Sequence, residues 1–186
     1  MTALPPDPAR VLPPILVVGV GNEWRGDDGV GIHVARALQG HPDLHARCDI
    51  RLCPGDLTTL VDWARDYPHV LVIDALAPGA PPSSSDAAPP PACLRIDALR
   101  QPLPAPAPRS THAFGLTQAI ALLAALDRLP QTLWLYAVPT LRCDHGPELS
   151  PALAAALPQI AAAVARDLQT LAPAHHPPAP PESPHA

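Results

Sequence analysis

The sequence predicts an α/β fold: a three-layer α/β/α sandwich on a twisted, mostly parallel sheet of about five strands. Short apolar runs rich in β-branched residues, at Ile15–Val20 and 70–73, are typical of strands buried on both faces. Segments with helical spacing of apolar residues alternate with such runs, and this alternation is the element order of a parallel sheet. Ligands of such sheets bind beyond the carboxyl ends of the strands.

The first predicted helix follows the first strand after a glycine-rich turn. Residues 29–39 place Val30, Val34 and Leu38 at helical intervals, and Gly40 is a stop signal. The turn and the start of this helix therefore lie at the sheet edge where a ligand site is expected.

The remaining elements continue the alternation. One helix is predicted after Asp56, a good N-cap residue, and another at residues 114–129. A last helix begins after Ser150 with Pro151 in its first position, and Pro158 within it predicts a kink or a break. Three more strands are predicted at Cys48–Cys53, at 92–96 on the sheet edge, and at 132–138.

Proline marks the limits of the predicted domain. The chain has 186 residues and 29 prolines, which cluster near both termini and in two internal loops. We therefore expect an extended Pro-rich leader at residues 1–14, a single α/β domain at 15–171 and a disordered tail at 172–186.

The charge and the apolar pattern exclude several classes of partner. A net charge of −5 with 12 basic residues gives no basic footprint, so we expect no nucleic-acid partner. No apolar run reaches the roughly 20 residues of a membrane span, and the N-terminus does not resemble a signal peptide. We expect a cytoplasmic monomer. Its four cysteines include no Cys-x-x-Cys pair, so we expect free thiols rather than a zinc ribbon.

The segment GVGNEWRGDDGVG, residues 19–31, contains part of a dinucleotide-binding fingerprint. Gly19 and Gly21 match the first two glycines of that motif, but Trp24 stands at the third. An indole does not fit where a helix must pack closely on a strand, and two aspartates in the turn would repel a phosphate. The sequence therefore disfavours nucleotide binding here.

The two aspartates of this segment suggest a different chemistry. Helix capping accounts for one of them, which we expect to be Asp27, and leaves Asp28 free. Asp74 follows the strand at 70–73, and His112 precedes a helix. Two carboxylates and a neutral imidazole form a plausible metal-binding set with open positions. The sequence thus predicts a site formed by Asp28, Asp74 and His112.

Three segments, GVGNEWRGDDGVG, VIDAL and STHAFGL, together resemble the hydrogenase maturation proteases. These endopeptidases trim the C-terminal extension of a [NiFe]-hydrogenase large subunit once nickel is in place. The resemblance extends from about residue 15 to residue 157 and depends on the order and spacing of the segments. It implies that Asp28, Asp74 and His112 are catalytic and contact the metal.

The resemblance also implies a substrate and a source of the metal. The expected partner is a large-subunit precursor whose own nickel is the recognition signal, so nickel is not expected as a permanent cofactor. The family is grouped with aspartic-type endopeptidases. We expect the substrate cleft to be lined by Asn22, Glu23, Trp24 and Gly55, although the segment CPGDLTTL around Gly55 departs from the family pattern.

Two other functions stay open at this point. The first is a metal-sensing assembly chaperone for hydrogenase that keeps the fold without cleaving a peptide bond. The second is a nucleotide-binding protein unrelated to proteolysis.

Overall fold

The computed structural model describes most of the predicted domain. The predicted tail lies outside the described residues, and so do residues 1–12 of the predicted leader. Gly55, Asp56 and His112 lie outside them as well. The described residues are 13–54, 57–76, 93–103, 115–140, 143 and 146–171.

Among the described residues, five strands form one sheet in the order β2-β1-β3-β5-β4. Four of them are parallel, and only β4, at the edge, runs antiparallel to its neighbour β5. The predicted mostly parallel sheet of five strands is confirmed. The strands are β1 at Ile15–Val20, β2 at Cys48–Cys53, β3 at His69–Leu76, β4 at Leu94–Asp97 and β5 at Thr132–Pro139.

In the part of the chain that the structure describes, four α-helices cover the two faces of the sheet. Helices α1 and α4 pack on one face and α2 and α3 on the other, each pair over its own apolar cluster. The three-layer sandwich is therefore confirmed. Among the described residues, no helix has the length and apolar character needed to cross a membrane. The helices are α1 at Val30–Gln39, α2 at Thr58–Ala64, α3 at Leu116–Ala125 and α4 at Pro151–Leu171.

The end of α3 differs from the prediction. The helix stops at Ala125, four residues before the predicted end, because Asp127 adopts a left-handed conformation with φ of 54°. The N–H of Arg128 then donates to the carbonyl of Leu123 at 2.9 Å, and that of Asp127 donates to Ala124 at 3.1 Å. This pair of bonds is a Schellman motif, which satisfies the last carbonyls of the helix.

Two further boundaries also differ. Helix α4 continues unbroken through Pro158, which lies on the exposed side of the helix, so the break is wrong and the kink stays a prediction. Strand β3 extends to Leu76, so Asp74 lies inside the strand and not after it. Pairing with β5 explains the extension, because Asp74 is in register with Ala137.

Helix α1 begins directly above the carboxyl ends of β1 and β3. A Cβ atom added to Gly31 would lie 2.2 Å from the carbonyl oxygen of Ile73 and 2.3 Å from that of Val20. A Cβ added to Gly19 would lie 2.3 Å from the carbonyl oxygen of Gly31. The two glycines therefore allow the helix and the strands to approach more closely than any side chain permits.

We expect Gly31→Ala to lower the free energy of unfolding by at least about 2 kcal/mol, because the new methyl group overlaps two backbone carbonyls that cannot move independently. Urea unfolding followed by circular dichroism measures the change. Gly40→Ala is the control at the other end of α1. Its φ is −74° and the nearest atom to an added Cβ is 3.3 Å away, so a change within about 0.5 kcal/mol is expected. Equal stability of the two variants would contradict the close-packing argument.

Candidate functional site

The carboxyl ends of β1 and β3 form the switch point of the sheet. The chain leaves β1 through α1 to β2 on one side, and later returns to β3 on the other side of β1. Open α/β sheets bind their ligands in the crevice at such a point. The turn of 3-10 helix at Gly26–Gly29 contacts β3 there and leads into α1.

The turn is folded tightly against the end of β1. Gly21 has a φ of 145°, and a Cβ added to it would lie 2.1 Å from the carbonyl oxygen of Asp28. The N–H of Gly21 donates to the carbonyl of Cys53 at the end of β2 at 3.2 Å. This fold turns the acidic pair inward, so that Asp27 is fully buried and Asp28 is only 8% exposed.

Asp27 joins the turn to the start of α4. Its carboxylate accepts a hydrogen bond from the N–H of Ser150 at 2.6 Å and another from the Ser150 hydroxyl at 3.0 Å. The N-cap residues of the 3-10 turn and of α1 are Arg25 and Gly29, and neither makes a side-chain cap bond. Asp27 thus holds the residue that precedes α4, and its expected capping role stays a prediction.

Asp28 is buried with an unsatisfied oxygen. Over the described part of the chain, its Oδ2 is the one buried carboxylate oxygen that has no hydrogen-bond partner. Such an atom costs free energy unless a donor or a cation binds it. Its neighbour Asp27 is paired with Ser150, whereas Asp28 keeps an oxygen without a partner, and the binding of a metal by Asp28 stays a prediction.

Asp74 lies on the strand that the acidic turn contacts. Its side chain is half-buried, and its Oδ1 accepts a hydrogen bond from the N–H of Ala75 at 2.8 Å. It directly follows Ile73, whose carbonyl lies beneath the start of α1. The structure thus brings the turn that carries Asp28 against the strand that carries Asp74.

His112 lies outside the described residues, so the convergence of all three predicted ligands stays a prediction. Within the described ranges, no group of three or more His, Cys, Asp or Glu side chains is arranged to hold a metal ion. The described part of the site therefore supplies the carboxylates of Asp28 and Asp74, but no third His, Cys, Asp or Glu side chain is arranged with them to hold a metal.

A segment after β5 lies across the acidic turn. The N–H of Gly146 donates to the carbonyl of Trp24 at 2.9 Å, and the N–H of Gly26 donates to the carbonyl of Gly146 at 2.7 Å. Cys143 belongs to this segment, and its thiol donates to the hydroxyl of Thr140 at 3.8 Å. The sequence predicted a free thiol at Cys143 but not that this segment pairs with the acidic turn. That pairing joins residues more than a hundred apart in the sequence.

The pKa of the Cys143 thiol is raised above its usual value. Burial raises the pKa of the Cys143 thiol, although the hydrogen bond with Thr140 opposes this effect. The carboxylates of Asp28 and Asp27 raise the pKa further, because a negative charge disfavours the thiolate, and the guanidinium of Arg25 lowers it.

The loop residues predicted to line the cleft are held in place while Trp24 stays exposed. The side-chain oxygen of Asn22 accepts a hydrogen bond from the N–H of Trp24 at 3.0 Å. Glu23 forms a bidentate ion pair with Arg36 of α1, with one bond of 2.9 Å between Nη2 and Oε2. The indole of Trp24 is 72% exposed beside the acidic turn. Gly55 lies outside the described residues.

Comparisons with known proteins give the chain its relatives. No family model matches the chain. The hydrogenase expression/formation protein HupD of Thiocapsa roseopersicina is 32% identical over 143 residues, which cover 75% of this chain and 60% of HupD. The chain therefore spans about 60% of the length of this relative.

Several solved structures have a fold similar to that of this chain. The hydrogenase maturating endopeptidase HybD from E. coli matches with a TM-score of 0.60 and 22% identity, over 84% of this chain and 92% of HybD. A hydrogenase 2 maturation peptidase from a Thaumarchaeota archaeon matches with a TM-score of 0.52 and 25% identity, over 83% of this chain and 97% of the peptidase. The chain resembles the hydrogenase maturation proteases in both sequence and fold. The resemblance inferred from the three segments is thus confirmed.

We expect Asp27→Ala to lower the free energy of unfolding by about 1–3 kcal/mol, since it leaves the buried N–H of Ser150 without an acceptor. Urea unfolding of the variant and of the exposed control Asp62→Ala measures the difference. A double-mutant cycle with Ser150→Ala isolates the side-chain part of the interaction. A loss no larger than that of the control would show that the contact does not stabilise the fold.

Proposed function

We propose that the protein is an endopeptidase that removes the C-terminal extension of a [NiFe]-hydrogenase large-subunit precursor after nickel insertion. The proposal includes the substrate's nickel as the recognition signal, and a protein that acts as a cytoplasmic monomer. The observation that carries it is the buried, unsatisfied Oδ2 of Asp28 at the switch point of a fold shared with maturation proteases.

Asp28 and Asp74 supply the charge that this reaction needs. A carboxylate oxygen without a hydrogen-bond partner is free to contact the cation of a bound precursor, and Asp28 offers one at the crevice. In this proposal Asp74, on the neighbouring strand, and His112 complete the contacts. A carboxylate next to a polarised peptide carbonyl can accept a proton from the attacking water, which is the role of the acids in an aspartic-type mechanism.

Dependence on the substrate's metal would also restrict cleavage to mature precursors. Two acidic side chains near one another repel until a cation or a shared proton compensates their charge. A precursor without nickel brings no such cation, and its peptide is then not positioned for attack. We therefore expect weak nickel binding by the free protein and little general proteolysis.

The alternative is a metal-sensing assembly chaperone for hydrogenase that does not cleave its partner. The relative HupD is named a hydrogenase expression/formation protein, a name that includes no proteolytic step. Both functions use the same carboxylates to contact the metal, so the mass of the precursor decides between them.

We expect the wild-type protein to shorten a nickel-loaded precursor, and Asp28→Asn to slow that cleavage by at least about a hundredfold because it removes a charged contact to the reacting centre. Asp74→Asn and His112→Ala are expected to have comparable effects. Mass spectrometry of the co-expressed precursor measures the shortening, and single-turnover kinetics measure the rate.

Asp62→Asn is the matched control, since it removes an exposed carboxylate on α2 that has no part in the site. It should cleave like the wild type, and a nickel-free precursor should stay intact with every variant. An unchanged precursor mass with the wild-type protein would reject the protease and favour the chaperone. Cleavage of the nickel-free precursor at the full rate would reject nickel as the recognition signal.

Trp24 is expected to contact the precursor. Large exposed indoles beside a binding site are frequent anchors of protein interfaces. We expect Trp24→Ala to raise KM about tenfold with little change in kcat, because the indole binds the substrate without entering the chemistry. Stability should stay within about 0.5 kcal/mol, since the side chain is 72% exposed. Leu129→Ala, another exposed apolar residue, is the control, and equal KM values for the two variants would contradict the role of Trp24.

A further inference from the structure

The buried polar side chains of the described residues, tyrosine and cysteine apart, are concentrated at the carboxyl ends of the parallel strands. There are four of them, each at most 8% exposed: Asp27, Asp28, Thr140 and Ser150. Buried polar groups cost free energy unless they are hydrogen-bonded, so a core contains few of them. Their concentration here points to a role at the crevice rather than in general packing.

Thr140 directly follows β5 and holds the end of β3. Its N–H and its hydroxyl both donate to the carbonyl of Leu76, at 3.1 and 2.9 Å. Leu76 is the last residue of β3 and follows Asp74 closely in that strand. The hydroxyl of Thr140 therefore adds a second bond to the strand end that carries Asp74.

Ser150 makes a similar pair of bonds at the acidic turn. Its N–H and its hydroxyl both donate to the carboxylate of Asp27, at 2.6 and 3.0 Å. Asp27 is adjacent to Asp28 in the turn of 3-10 helix, and the Oδ2 of Asp28 is buried without a partner. The Ser150 hydroxyl therefore adds a second bond to the turn that carries Asp28.

We propose that Thr140 and Ser150 are positioning residues, whose hydroxyls together fix the separation of Asp74 and Asp28. Two donors to one acceptor group restrict its orientation more than a single bond does. The inference rests on the proposed function, in which both acids contact the nickel of the precursor. A misplacement of about 1 Å can slow a reaction about a hundredfold, so the loss of either hydroxyl should lower the rate of cleavage.

Removal of each hydroxyl while its backbone bond is kept tests the inference. We expect Thr140→Val and Ser150→Ala to lower kcat for the nickel-loaded precursor at least about tenfold, with KM changed less than about threefold. Thr140→Ser and Ser150→Thr keep the hydroxyl and should retain kcat within about threefold of the wild type. Far-ultraviolet circular dichroism checks that all four variants are folded.

Tyr136→Phe is the matched control. Tyr136 is 1% exposed and its hydroxyl donates to Asp167 at 2.6 Å, so this variant also loses a hydrogen bond of a buried hydroxyl. Asp167 lies toward the far end of the 21-residue helix α4 from Ser150, roughly 25 Å away at a rise of 1.5 Å per residue. The variant should therefore lose stability but keep the kcat of the wild type.

Hydrogen exchange tests the positioning without any substrate. Thr140→Val should accelerate the exchange of amides at the end of β3, and Ser150→Ala that of amides in the 3-10 turn, each at least about tenfold. Tyr136→Phe should change neither region.

The inference would be overturned if both hydroxyl-free variants kept the kcat of the wild type or showed unchanged exchange, or if Tyr136→Phe lowered kcat equally. The two measurements separate this failure from that of the proposed function. Fast cleavage by the wild type and by both hydroxyl-free variants leaves the endopeptidase and rejects the positioning. Accelerated exchange in these variants, with no cleavage by the wild type, leaves the positioning and rejects the endopeptidase.

Discussion

The close contact between the start of α1 and the carboxyl ends of β1 and β3 is the constraint on which the rest of the site depends. Gly31 lies where any Cβ would overlap the carbonyls of Val20 and Ile73. The position of the helix start determines the position of Asp28, three residues earlier. A shift of the helix away from the sheet would move this carboxylate out of the crevice. The position of Asp28 therefore depends on the close packing of the glycines.

A second constraint separates the two adjacent aspartates by function. Asp27 is fully buried and uses its carboxylate to hold Ser150, so the turn and the start of α4 are fixed to one another across 123 residues of sequence. Asp28 is left with an oxygen that no described residue binds. One acid thus satisfies the fold, and the other is available to a ligand. The buried contact between Asp27 and Ser150 also provides the rigid framework that a binding site needs.

The sequence predicted element types better than element ends. The alternation of apolar runs and helical segments was sufficient for the layers, because burial on both faces of a parallel strand leaves a continuous apolar pattern. The end of α3 was wrong because Asp127 takes a left-handed conformation, which non-glycine residues adopt rarely. The end of β3 was wrong because pairing with β5 extends the strand beyond its apolar run.

By itself, the sequence determined the layered fold, and it predicted a site at the strand ends with the candidate acids Asp28 and Asp74. These conclusions follow from the spacing of apolar and acidic residues within single segments, so no contact between distant segments is needed to reach them. Only the tertiary structure decided that Asp27 binds Ser150 and that Gly146 pairs with the acidic turn. Both contacts join segments more than a hundred residues apart, and such pairings depend on the packing of the whole domain rather than on any local signal.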